Sequence, residues 1–520
     1  MTPRPERARD RLAFLSVGPV ARNGALSLVA LVLIGGTRIV YGLLVSRATD
    51  LETFGLIGVL IAVTMISSYL LPSGLGSATS RYVPYQLGQG DAASARGHYR
   101  LLGRGAILAG VGLAAVAGLG VYLVLAVPST VALQVALLTL VYSLYTTDKA
   151  ALYAFGRVGR YVSIELAGSA IVVATAIAVV ISGSTLYLAP FIVGYGFFVV
   201  GARIAIQLEL RGDVAATTSP ERRSMLRYAL IASVGIVASA GFLQATQLLA
   251  ARFAIPSEVA FFAAAVTLVA PMYFLPRALS LALFPFMSEA HGAGRVEVVR
   301  RHADVATRAI LAILAPVFVL SVLLAPEAMF IFGGSAYVAG AHVLRLILVA
   351  AFLSIIGVAS VNALSSDSTS QLTTTVKWSV TGCVTGLIVV SVLGGPLGAV
   401  GVGLAYLIGT AITASGPIAV VWRRYQMAWA GPVARGVLTV LAAAVIAELG
   451  ESVGSGGVQQ WPIHVALALA GVGISLLVLR RDITMVLAQT LRRSSGPAGS
   501  GRSPTGGSVA DAPLRAGREL

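Results

Sequence analysis

The sequence predicts an all-α integral membrane protein of about fourteen transmembrane helices, twelve of them grouped into two six-helix lobes. Three observations carry this: the apolar composition, the placement of the basic residues, and a repeat within the chain. Of 520 residues, 57% are hydrophobic and 11% charged, and the mean hydropathy is +0.88. Soluble chains are roughly 45–50% apolar and about 25% charged. Fourteen spans of ~20 residues would absorb ~280 residues, which leaves room for connections but for no sizeable soluble domain.

Residues 1–23 form a basic segment. The apolar run behind it is about 22 residues long and lacks a small-residue cleavage site, so it reads as a first span rather than a removable signal peptide. Uninterrupted apolar runs place the spans at 24–45, 54–73, 105–127, 130–145, 161–181, 186–206, 228–250, 259–286, 309–324, 342–363, 375–392, 397–421, 431–447 and 464–479. Spans 1 to 6 make an N-lobe over 24–207, a cytoplasmic loop at 208–227 joins it to a C-lobe over 228–422, and spans 13 and 14 occupy 423–480. The stretch 481–520 is a cytoplasmic tail; from Ser494 it is rich in Gly, Ser and Pro. Such a composition cannot bury a core, and a largely disordered segment is expected.

The net charge of +16 would suggest nucleic acid in a soluble protein. Placement argues otherwise. Of the 37 basic residues, 32 fall in alternate connections, the termini, or the turns leading into them. The positive-inside rule then puts both termini in the cytoplasm of a multi-pass plasma-membrane protein, with the basic excess facing the inner leaflet and no nucleic-acid partner.

The repeat has a period of about 205 residues. LLVSRATDLETFG (Leu43 to Gly55) ends span 1, and LLAARFAIPSEVAF (Leu248 to Phe261) ends span 7. Arg47 thus stands opposite Arg252 and, after a one-residue insertion, Glu52 opposite Glu258. GQGD (Gly88 to Asp91) matches GAGR (Gly292 to Arg295), and the basic loops that follow end at Arg104 and Arg308. Repeated halves of an even number of spans share one orientation and define many transporter folds.

With RATDLETFGLIGVLIAV (Arg47 to Val63), LPSGLGSATSRYVPYQLGQGD (Leu71 to Asp91) and the weaker copy from Arg252 to Gly294, the sequence resembles the multidrug/oligosaccharidyl-lipid/polysaccharide exporter superfamily, and within it the polysaccharide flippase branch. The resemblance implies two lobes in a V around a central lumen that opens alternately to either side. It also implies the movement of a lipid-linked sugar for cell-surface polysaccharide biosynthesis, as in O-antigen export. Fourteen spans is the count of many flippases, whereas the drug-exporter branch usually has twelve.

A polyprenyl-(pyro)phosphate-linked oligosaccharide brings an anionic head group through a low-dielectric core, so the lumen needs cations. Arginine in a span is costly, at roughly 2.5–3.5 kcal/mol, and faces a cavity or a partner; its planar fork also suits phosphate. Arg38, with Tyr41 on its face, and Arg277, with Tyr273 and Ser280 on its face next to Pro271 and Pro276, are the substrate-binding candidates. The alternative is an arginine paired inside the bundle. Arg345, near a span end, can snorkel. Arg47 and Arg252 would set two cations at the outer mouth; pairing with Asp50 or Glu52, and with Glu258, competes with that role and is the use the spacing favours. Gln244 and Gln247 share a face of span 7 and would bind a sugar or join helices, as would Asn362. Glu165, the one carboxylate predicted inside a span, is expected to neutralise Arg160 or Arg157, with an ion-coupling site for H+ or Na+ as the alternative.

Other chemistries find little support. Cys383 is the single cysteine and the five histidines are scattered, so neither a disulfide framework nor a metal site is expected. Neither lysine, Lys149 or Lys377, lies in a Walker loop. No D-x-D and no long external segment supports a membrane glycosyltransferase; a non-enzymatic carrier without cofactors is expected. Its partners would be the lipid-linked sugar, membrane lipids, a coupling ion and polysaccharide polymerase or assembly proteins. The rival functions are a peptidoglycan lipid-precursor flippase and an ion-coupled multidrug antiporter. An antiporter of cations wants intramembrane carboxylates, which are scarce here.

Overall fold

The computed structural model describes residues 17–274, 276, 279, 280, 283, 284, 287, 290, 291, 295–367, 369–453 and 461–485. Residues 1–16 of the basic segment, the tail expected to be disordered, and Arg277 lie outside the described residues. Every element among those described is a helix, because a backbone crossing lipid must satisfy its own hydrogen bonds. The N-lobe comprises α1 (Val17–Ala48), α2 (Leu51–Leu70), α3 (Pro72–Gly88), α4 (Ala92–Val124), α5 (Ser129–Ala154), α6 (Val158–Ile181) and α7 (Ala189–Gln207). The C-lobe comprises α8 (Ser219–Ile236), α9 (Phe242–Phe253), α10 (Pro256–Val269), α11 (Val296–Leu323), α12 (Ala325–Gly333), α13 (Ala341–Ile356), α14 (Val358–Asp367) and α15 (Thr369–Tyr425). Then come α16 (Ala430–Val453) and α17 (Trp461–Val478), which pack on α11.

Twelve helices among the described residues are long and apolar enough to cross a membrane. One of them, α15, is two passes: Gly398 (φ 53°, ψ −135°) folds it back on itself. A Cβ at Gly386 would lie 3.1 Å from the Ala405 carbonyl, and one at Gly382 would fall against Gly409 and Thr413, so the arms run antiparallel in close contact. The shorter apolar α17 completes the fourteen expected.

The span ends were less legible. Span 3 is expected from residue 105, yet α4 starts at Ala92, where Asp91 accepts from the Ser94 backbone N–H at 2.9 Å. Its 33 residues reach ~50 Å, well beyond the hydrocarbon. Span 7 overhangs in the same way, from a capping box of Thr218 and Glu221. Hydropathy marks where lipid ends; the helix continues until its backbone is stopped. Breaks also fall inside passes. Span 2 breaks at Leu71 (φ −135°) ahead of Pro72, which lacks the N–H to continue the ladder. Pro271 opens a 3-10 turn, Ala270–Tyr273, after α10. A π-turn, Val237–Gly241, joins α8 to α9.

The arginine-rich connections define a basic end of the bundle, and the opposite end is bare of such connections and carries few arginines, Arg47 and Arg252 among them. Near the bare end the lobes meet where α2 crosses α10. A Cβ at Gly55 would lie 3.0 Å from the Ala260 nitrogen, and one at Gly58 would lie 2.5 Å from the Ala263 Cβ. Both pairs are 205 apart in sequence, as a local two-fold axis relating two repeats requires. Such close approach of small residues is the usual way helices associate where lipid removes the hydrophobic driving force. At the basic end the lobes meet again, with Arg81 over the Tyr228 ring at 4.6 Å and the Tyr82 and Ser224 hydroxyls 3.1 Å apart.

Candidate functional site

A cavity lies between the lobes, lined from α1, α2, α5 and α7 on one side and from α9, α10 and the 3-10 turn on the other. Its walls are mostly aromatic and aliphatic. Among the described residues, Arg38 is the only charged side chain in its lining. Thr64, Tyr142, Tyr195, Gln244, Gln247 and Thr267 supply polar groups around it.

Arg38 comes from the middle of α1, where its guanidinium donates a long hydrogen bond of 3.5 Å to the Tyr195 hydroxyl. No carboxylate among the described residues lies within ion-pair distance of it. A phenol is a weak partner for a cation held away from water, so most of the guanidinium's donor capacity faces the cavity. Behind the same wall is a smaller cavity, with Arg38, Tyr195 and Glu165 in its lining. Glu165 is buried and accepts from the Tyr145 hydroxyl at 3.1 Å. Tyr145 stacks with Tyr142 (5.7 Å between ring centroids) and meets Tyr195 at 4.7 Å, so phenols line the way from Glu165 to Arg38.

Of the residues predicted for the site, Arg38, Tyr41, Gln244 and Gln247 come together from both lobes in the cavity lining. Tyr41 presents its ring, since its hydroxyl donates to the Tyr187 carbonyl at 2.7 Å. Tyr273 is not in the lining and hydrogen-bonds Tyr406 instead, because the 3-10 turn redirects it. The expected partnership of Tyr273 with Arg277 falls outside the described residues.

Several expected pairings are replaced by others. Glu165 pairs with neither Arg160 nor Arg157: five residues on a helix put Arg160 about 140° around from it, and Arg157 bonds Glu209 at 2.5 Å. Glu165 is also not alone as a carboxylate. Because α5 runs on to Ala154, Asp148 is buried within it and bonds the Arg203 Nε at 3.0 Å. Arg47 pairs with neither Asp50 nor Glu52. Asp50 caps α2, accepting from the Thr53 N–H at 2.7 Å, and that bond holds its carboxyl below the usual range. Arg47 instead donates to the Ile331 carbonyl at 2.7 Å. Glu258 does not pair with Arg252; it accepts from the Ala399 N–H at 3.0 Å, beside the Gly398 turn. Arg252 is exposed, with its guanidinium 5.9 Å from the neighbouring Phe253 ring. Arg345 does not snorkel: it is buried and bonds Glu448 at 3.1 Å. Asn362 joins helices, donating to the Ser280 hydroxyl at 2.9 Å.

The residues that sequence reasoning passed over are Tyr142, Tyr145 and Tyr195. A signal existed in VYSLYTTDK, where two tyrosines three apart share a helix face with a charge a turn further on.

Comparison with known proteins bears on this geometry. No protein family and no curated protein matches the chain by sequence. Solved structures do share its fold, which is that of the multidrug/oligosaccharidyl-lipid/polysaccharide exporter transporters. The lipid II flippase MurJ, in an inward closed conformation, superposes with a TM-score of 0.64 at 12% identity, over 89% of this chain and 100% of that one. A multidrug resistance MATE family transporter in an inward-facing conformation gives 0.63 at 15% identity, over 76% and 94%. A transporter of the same superfamily from Pyrococcus furiosus, described as having a binding pocket of reversed polarity, gives 0.60 at 17% identity, over 78% and 95%. The chain therefore shares the fold of these proteins, and its long apolar helices make it a multi-pass membrane protein.

Proposed function

We propose that the protein is a flippase that moves a polyprenyl-(pyro)phosphate-linked oligosaccharide across the cytoplasmic membrane by alternating access, for cell-surface polysaccharide biosynthesis. The observation that carries this reading is the charge of the interlobe cavity: Arg38 is its one ionised lining residue among those described, set in a wall of aromatic rings and amides. A guanidinium without a carboxylate partner suits a phosphate, aromatic faces suit sugar rings, and amides suit hydroxyls. A cationic drug would meet the wrong sign. The positive-inside rule makes the basic end cytoplasmic and the bare end external. Glu165, which shares the smaller cavity with Arg38, is the group through which H+ or Na+ would couple to the lumen.

A second reading, flipping of the peptidoglycan lipid precursor, is favoured by the fold shared with the lipid II flippase over 89% of the chain. The same arginine would serve it. The deciding experiment extracts lipid-linked sugars from cells lacking the protein and from complemented cells, alongside their sensitivity to cationic drugs. Accumulated lipid-linked oligosaccharide with unchanged drug sensitivity is the expected result, and accumulated peptidoglycan precursor would select the second reading. Raised drug sensitivity with unchanged lipid-linked sugar would overturn both.

A further inference from the structure

The bare end of the cavity is roofed by residues from both lobes. Phe54 of α2 lines the cavity and is buried. Its ring meets Phe332 at 5.7 Å and Tyr337 at 5.8 Å, both from the C-lobe, and Phe261 meets Tyr337 at 6.2 Å. On the other side of this aromatic layer is a bowl lined by Arg47, Asp50, Gly334 and Tyr337 among others. The bowl and the cavity share no lining residue, so one layer of rings separates them.

Three hydrogen bonds run across the roof, all from N-lobe side chains to backbone carbonyls at the end of α12. Ser46 donates to Phe332 O at 2.9 Å; Arg47 donates to Ile331 O at 2.7 Å and, more weakly, to Phe330 O at 3.5 Å. The last carbonyls of a helix lack partners within it and carry its negative dipole end, where a guanidinium is favourable. Gly334, at φ 83°, stops α12 here; its own N–H takes the Phe330 carbonyl at 2.8 Å and leaves those of Ile331 and Phe332 presented. The C-terminus of a C-lobe helix is thus capped by the N-lobe. Close approach completes the fit: a Cβ at Gly42 would fall 2.8 Å from the Phe332 ring.

We propose that this is the external gate: Arg47 and Ser46 latch the lobes by capping α12, and Phe54, seated between Phe332 and Tyr337, seals the lumen beneath them. The inference deepens the transport reading and rests on its orientation. It gives Arg47 a mechanical role in place of both the outer-mouth substrate contact and the Asp50 or Glu52 pairing that the sequence offered. The latch is reversible by construction, since water replaces both donors at the carbonyls when the lobes part.

The test uses the full chain in intact cells, with Cys383→Ser as background and a membrane-impermeant maleimide added outside. A cysteine in the lumen (Ile61→Cys) is compared with one in the bowl (Ala336→Cys). The lumen cysteine should react about tenfold more slowly than the bowl cysteine, and Ser46→Ala with Arg47→Ala, or Phe54→Ala, should remove most of that difference by raising the open population. Should Phe54→Ala fail to reach the membrane, Phe54→Leu keeps the apolar bulk and should act in the same direction. Equal rates for lumen and bowl in the otherwise unaltered chain would overturn the gate, as would variants that react no faster than their parent. Accessibility is read without any substrate, so a wrong substrate class would leave this result intact.

Discussion

The two lobes carry matching sequence but spend their charges differently. In the N-lobe, charged groups sit mid-helix among tyrosines: Arg38 and Glu165 share a cavity, and Lys149 lies over the Tyr145 and Tyr161 rings at 5.7 and 5.3 Å. In the described part of the C-lobe they sit near the ends of the apolar spans and hold helices together. Asp482, after α17, bonds Arg308 of α11 at 2.8 Å and Arg435 of α16 at 2.6 Å; at the other end Glu448 of α16 bonds Arg345, and Glu327 of α12 bonds His464 of α17 at 2.5 Å. These ties fasten the two extra helices to the C-lobe at both ends. The difference teaches that fold repetition transmits position, while neighbours assign the work. Arg47 and Arg252 show it most plainly, since one caps a helix of the other lobe and its counterpart lies exposed.

Four substitutions test this division. Asp482→Asn should act most strongly on stability, because it leaves Arg308 and Arg435 without their shared buried carboxylate. About 3 kcal/mol is expected from breaking a buried pair. It should be read as a lowered unfolding temperature in detergent, with export per folded molecule kept; lost export at unchanged stability would break the comparison. Arg38→Ala should do the reverse. Losing charge-assisted bonds worth about 1.5–3 kcal/mol lowers export roughly 10- to 150-fold, with the unfolding temperature unchanged, and Arg38→Lys should restore only part of it. Wild-type export by Arg38→Ala would remove the argument from lumen charge.

A third substitution sharpens the picture of the axis between lobes. Gly58→Ala places a methyl where the Ala263 Cβ and the Gln247 Nε2 each lie 2.5 Å away. The expected cost is about 1–2 kcal/mol of overpacking. Ala263→Gly in the same chain should relieve it, and failure of that rescue in an unfolding assay would show that the two positions do not touch. The smallest effect belongs to Arg252→Ala, within about 0.5 kcal/mol, as for an exposed side chain without a carboxylate partner. An effect on export as large as that of Arg47→Ala would show that the two arginines do equivalent work after all.

The number of passes was legible in the sequence because hydropathy reports lipid contact directly, and the repeat because Arg47 and Arg252 interrupt otherwise featureless apolar runs. Partner choice was not. Glu165 and Arg160 look adjacent in the chain but diverge around the helix, and Arg345 meets Glu448 across 103 residues. The tyrosines around Arg38 escaped because they are counted with the hydrophobic residues in the composition, although the Tyr145 hydroxyl decides where the buried Glu165 carboxylate settles.

The π-turn at Val237–Gly241 has an evolutionary consequence. It carries one residue more than an α-helix would hold over the same length, and Gln244 and Gln247 follow within two turns. The bulge absorbs that residue, so the helix beyond it keeps its facing; the same residues wound as a regular α-helix would be turned there by about 100°. Both amides would then leave the cavity together, so a lineage can add a residue to this helix and keep the cavity wall unchanged by storing it in the bulge.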